Sequence, residues 1–165
     1  QEVVDFYVSW AMVLEQVGRF EQTCAVLDKA LKIDPSDPHT ANFKGYILAD
    51  HNKNLDEAEM LIRIAVKAEP ENVAFLDSLA WVLYRKREFR GALTAINDAL
   101  ARMGALLTQP TILEHAGDIF AACGYPRTSL FYWQLASQNG PDDPEQLRRK
   151  IIERKRLLDA ILFRH

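Results

Sequence analysis

Residues 75–100 read FLDSLAWVLYRKREFRGALTAINDAL. Leu76, Leu79, Ala80 and Leu83 fall at i, i+3, i+4 and i+7, which makes one packed helical face. Asp77, Trp81, Tyr84 and Arg85 fall at i, i+4, i+7 and i+8, a second stripe on the same helix. The charged run Arg85-Lys86-Arg87-Glu88 interrupts the pattern. A second helical pattern follows, with Ala92, Ile96 and Ala99 on one side. Two amphipathic helices in so short a span raise the question of whether the unit recurs.

It does. Ala30, Ala65, Ala99 and Ala136 are spaced by 35, 34 and 37 residues. Seven residues before each stands a small side chain: Thr23, Ala58, Ala92, Ser129. Three before each is a large apolar one: Leu27, Ile62, Ile96, Trp133. Nineteen or twenty before each is Ala11, Gly45, Ala80 or Gly117, and five after comes Pro35, Pro70, Gly104 or Pro141. Small residues let two antiparallel helices approach, large ones fill the space beside them, and Pro or Gly ends the second helix. Asp37-Pro38 and Asp143-Pro144 read as capping acids before a first-turn proline. Asn54 with Glu57 reads as a capping box. No stretch alternates with period two, so no sheet is expected.

A period near 34 built of two amphipathic helices resembles the tetratricopeptide repeat family over nearly the whole chain. The fold this implies is all-α: a right-handed α-solenoid of four helix pairs, at about 3–35, 38–70, 73–104 and 110–141, in a single domain spanning 1–165. A capping helix at about 144–163 carries Leu147, Ile151, Leu158, Ile161 and Leu162 as its apolar stripe. Three departures from the family pattern stand out: Lys53 and Arg87 where Gly is usual between the helices, an extra residue in the turn HNKN, and a stretched loop from Met103 to Gln109. The phrases FKGYILAD, FLDSLAWVLYRK and ILEHAGDIF resemble the C-terminal arrays of large bacterial tetratricopeptide proteins, many of them envelope-associated. That resemblance favours a bacterial envelope location over the cytoplasm. The start at Gln1, and Val3, Val4, Phe6 and Tyr7 on the first helix, suggest a piece of a longer polypeptide whose array continues upstream.

Nothing in the chain argues for an enzyme. Asp50, Asn52, Asn54 and Asp56 alternate like the start of a calcium loop, but Leu55 and Leu61 stand where such a loop needs Gly and Glu. His39, His51, His115 and His165 lack metal-ligand spacing, and there is no phosphate-binding glycine loop or nucleophile elbow. Cys24 and Cys123 read as small buried hydrophobes. No cofactor, metal or small-molecule substrate is expected.

The resemblance implies a concave surface lined by the first helix of each pair, where a partner peptide or helix lies. Its stripe is Val8, Met12, Glu15 and Gln16 in the first pair; Asn42, Tyr46, Ala49 and Asp50 in the second; Asp77, Trp81, Tyr84 and Arg85 in the third. In the fourth it is Glu114, Asp118, Ala121 and Ala122, with His115 at the edge. Candidate partner-binding residues are therefore Asn42, Tyr46, Asp50, Asp77, Trp81, Tyr84, Arg85, Glu114, His115 and Asp118, with Arg85 the main cation. Some relatives clamp a peptide carboxylate with Lys, Asn and Arg. The matching positions here are Val8, Met12, Asn42, Phe43, Ala74 and Ser78, and only Asn42 is of the right type. Acids beside aromatics favour a protein partner with basic and apolar side chains.

The net charge of −3 divides unevenly. Residues 145–165 carry seven Arg/Lys against three acids, hence +4, which leaves −7 on residues 1–144. A protein-interaction scaffold is the leading reading. A structural spacer or self-assembly module forming a homo-oligomer is the alternative. Binding of nucleic acid or an anionic surface through the basic last helix ranks third.

Overall fold

The computed structural model describes residues 2–104 and 108–162. Ala105, Leu106 and Leu107 of the expected stretched loop lie outside the described residues, as do His165 and the side chains of Ile161 and Leu162. The described residues form nine α-helices and no strand. They are α1 (Glu2–Gln16), α2 (Phe20–Ile33), α3 (Pro38–Asp50), α4 (Leu55–Ala68), α5 (Val73–Arg85), α6 (Phe89–Met103), α7 (Pro110–Ala122), α8 (Pro126–Gln138) and α9 (Pro144–Leu162). None is long and apolar enough to cross a membrane.

Successive helices pair as α1/α2, α3/α4, α5/α6 and α7/α8, and each pair stacks on the next. The first helices α3, α5 and α7 also lie side by side, so they share one surface of the array, while α9 packs on α8. This is the all-helical solenoid that the repeat period predicts.

The recurring small residues sit where the helices of a pair touch. A Cβ on Gly117 would lie 2.2 Å from the Trp133 ring. One on Gly45 would lie 2.6 Å from Ile62 and 2.8 Å from the Ala58 carbonyl oxygen. The large member of each repeat, Leu27, Ile62, Ile96 or Trp133, is buried against these gaps. The second pair also buries a lysine: Lys44 pairs with Asp28 at 2.7 Å and with Glu57.

All four first helices end alike. Gly18, Asn52, Arg87 and Gly124 have φ of 70, 54, 65 and 80°. The next residue's N–H returns to the helix carbonyl five positions back, from Arg19 to Leu14, Lys53 to Leu48, Glu88 to Leu83 and Tyr125 to Phe120. This is the left-handed cap that favours glycine. In the second pair the left-handed residue is Asn52, not Lys53, because the extra residue of HNKN shifts the turn. Asn54 is itself left-handed at φ 42° and makes no capping hydrogen bond, so the expected capping box does not form. Asp37 and Asp143 do cap, accepting from the N–H of Thr40 and Gln146 at 2.8 and 2.9 Å.

Candidate functional site

The surface shared by α3, α5 and α7 ends in a cavity of about 380 Å³ where α9 meets it. Tyr46 and Asp50 come from α3, Trp81 and Arg85 from α5, and Thr111, Glu114, His115 and Asp118 from α7. Asp142 and Asp143 precede α9, which itself contributes Gln146 and Lys150.

Its floor is a buried polar stack. Trp81 is 8% exposed. Its ring stacks on His115 at 4.0 Å between centroids and on Tyr84 at 5.1 Å, and its Nε1–H donates to Asp50 Oδ1 at 3.3 Å. The Arg85 guanidinium lies 5.4 Å from the Trp81 ring centroid. Below it, His115 Nδ1 lies 3.0 Å from each Asp77 carboxylate oxygen, and both residues are 5% exposed. Burial opposes the charge on His115, but the Asp77 carboxylate, with Asp118 and Asp50 further off, outweighs it and raises the imidazole's pKa. Burial, then the charges of Asp50, Asp77 and Asp142, hold the Tyr46 phenol well above its ordinary value.

The far wall is an ion-pair network built by α9. Lys150 Nζ reaches Glu114 Oε1 at 2.8 Å and Asp118 Oδ1 and Oδ2 at 2.9 and 2.8 Å. Burial opposes the lysine's charge, yet the two carboxylates raise its pKa overall. Trp133 Nε1–H donates to Asp118 Oδ1 at 2.9 Å, and Thr111 Oγ1 to Asp142 Oδ2 at 3.3 Å.

Nine of the ten residues singled out in the sequence fall in this stack, its ion pairs or the cavity wall. Asn42 stands apart, half-buried, with its side-chain carbonyl oxygen unpartnered among the described residues. Their placement differs from an exposed stripe. Asp77 lies beneath the surface and braces His115, which lines the cavity with Trp81 while each offers little surface of its own. Tyr46, Asp50, Arg85, Glu114 and Asp118 reach the cavity. Arg85 is not the sole prominent cation, since Lys150 stands opposite. Sequence reasoning passed over Lys150, Asp142 and Thr111. The signal for Lys150 was present: it lies between Leu147 and Ile151, on the inward side of the last helix. Among the described residues no group of three or more His, Cys, Asp or Glu side chains could hold a metal ion.

No family model matches the chain. A stretch of 69 residues, 42% of the chain, is 36% identical to a TPR repeat-containing protein of Pseudomonas aeruginosa and spans 12% of that protein's length. The structure superposes on a thermophilic TPR protein of Thermus thermophilus with a TM-score of 0.78 at 15% identity, covering 94% of this chain and 82% of that one. It superposes on PilW, described as a widely conserved type IV pilus biogenesis factor, with a TM-score of 0.77 at 21% identity, covering 97% of this chain and 74% of that one. The chain resembles tetratricopeptide repeat proteins and has their fold.

Proposed function

We propose that this tetratricopeptide-type solenoid is a non-catalytic scaffold that holds a protein partner along α3, α5 and α7. The observation that carries the reading is the cavity where those helices meet α9, walled by Tyr46, Asp50, Arg85, Glu114 and Asp118. Carboxylates beside aromatic rings suit a partner with basic and apolar side chains. The likeness to PilW and the resemblance of the repeat phrases to those of envelope-associated proteins support a place in the bacterial envelope. Asp50→Arg with Arg85→Glu reverses two groove charges and leaves Asp77 and His115 untouched. Partner capture from the native extract should fall by about fivefold or more, a loss of about 1 kcal/mol that only a minority of interface residues reach. Equal recovery by the wild type and a folded double variant would overturn the groove reading.

A second reading has its own observation. Val3, Phe6, Trp10 and Val13 form an exposed apolar stripe on α1, and Val17 just past its end is exposed too. The same stripe suits self-assembly between copies. A sedimentation coefficient independent of concentration would count against that reading.

A further inference from the structure

We propose that α9 makes the groove a blind pocket that receives one organic cation, a primary ammonium, from the end or a single side chain of the partner. The inference rests on the groove reading above and specifies its chemistry.

The groove does not run on past α7. Leu147 of α9 is fully buried, and Lys150 ties that helix to Glu114 and Asp118. Lys150 and Arg154 lie 5.8 and 5.4 Å from the Trp133 ring centroid, and the Thr111–Asp142 hydrogen bond holds the segment before α9 against the start of α7. A helix or extended segment lying along α3, α5 and α7 must therefore stop or turn here. The cavity of about 380 Å³ is at the small end of ligand sites, the size for one head group and its stem.

The charges that face it are not balanced. Glu114 and Asp118 are engaged by Lys150. Asp143 accepts from the backbone N–H of Gln146, and Arg85 lies over Trp81. Among the described residues Asp50 and Asp142, from opposite walls, have only neutral hydrogen-bond donors, the Trp81 indole and the Thr111 hydroxyl. Two carboxylates with no ion pair among the described residues leave room for a cation from a ligand, and Tyr46 and Trp81 line the cavity beside its stem. His115, 5% exposed, lines the same cavity. Its Nδ1 is taken by Asp77, while its other ring nitrogen makes no hydrogen bond among the described residues. That nitrogen suits an acceptor oxygen on the ligand, such as the carbonyl next to a peptide's α-amino group.

The test uses the ¹⁵N-labelled chain and the indole N–H resonance of Trp81. Three tripeptide amides serve as probes: acetyl-Gly-Lys-Gly-amide carries the cation on a side chain, Gly-Gly-Gly-amide carries it at the free amino terminus, and acetyl-Gly-Glu-Gly-amide is the control. At least one cationic probe should shift the Trp81 resonance saturably, and the control should not. Which one does so tells the side chain from the terminus. Asp50→Asn with Asp142→Asn should weaken that binding tenfold or more, with the helical circular dichroism of the wild type retained. No saturable shift with either cationic probe, or equal binding by the double variant, overturns the proposal. Groove-dependent partner capture that persists in D50N/D142N removes this inference and leaves the scaffold reading standing. Tripeptide binding without groove-dependent capture does the reverse.

Discussion

His115 is enclosed, yet it sits 3.0 Å from the Asp77 carboxylate and holds its proton more tightly than it would in the unfolded chain. A raised folded-state pKa contributes its full stabilisation below the unfolded value of about 6.5, and the contribution fades as pH rises through the folded value. The melting midpoint should therefore carry a component that declines above about pH 6.5, and His115→Gln should remove that component. Asp77→Asn at neutral pH should cost about 1–3 kcal/mol rather than more, because the imidazole can lose its proton once the counter-ion is gone. Chemical denaturation of both variants against pH checks the pair. Gly117 tests packing in the same terms. Gly117→Ala places a methyl 2.2 Å from an indole that is itself tied to Asp118, so about 1–3 kcal/mol of stability should be lost, read as a lower melting midpoint. The repeat register marked Gly117 as a small position. That it must be Gly follows from Trp133, which stands where the other pairs have Leu or Ile. The register also placed Asp77 and Trp81 on their own stripe, but a wheel drawn for one helix cannot show that α7 covers it.

The helix α9 shows how an element outside the repeat changes the meaning of the repeats. Its inward side carries Leu147, Ile151 and Leu158, which were legible as an apolar stripe. It also carries Lys150 and Arg154, two of the seven basic residues behind the tail's +4. Charged residues on an apolar stripe turn inward when carboxylates and an indole await them, and here Glu114, Asp118 and Trp133 do. Leu147→Ala removes the fully buried anchor at the first turns of α9. It should cost about 2–5 kcal/mol in the docking of that helix. Hydrogen exchange should then show amide protection falling across α9, with α3 to α6 unchanged; a loss spread evenly over the chain would contradict independent docking. The cavity was not legible in the sequence for the same reason. One of its walls comes from a helix that has no counterpart in the period.

Across the whole molecule, each pair contacts mainly its neighbours, so stability is close to a sum of pair and interface contributions. The first pair has its own small core of Ala11, Val26 and Leu27, separate from the continuous cluster that runs from Ala41 to Leu147. Amides of α1 and α2 should exchange faster than those of α5 and α6, and cooperative exchange from α1 through α9 would refute this. The solenoid itself was legible because four positions recur in phase and each has a packing reason. The turns were less so: Arg87 adopts a left-handed state that its side chain does not announce, and the extra residue of HNKN obscures that Asn52 takes it in the second pair. One arrangement has a practical consequence for watching the protein in solution. Its three tryptophans, Trp10, Trp81 and Trp133, report on the outer pair, the cavity floor and the cap. Trp10 is 43% exposed, against 8% and 4% for Trp81 and Trp133, so its emission lies furthest to the red. Single-tryptophan variants would thus follow the loosening of each end and the occupation of the middle by colour alone, without any added dye.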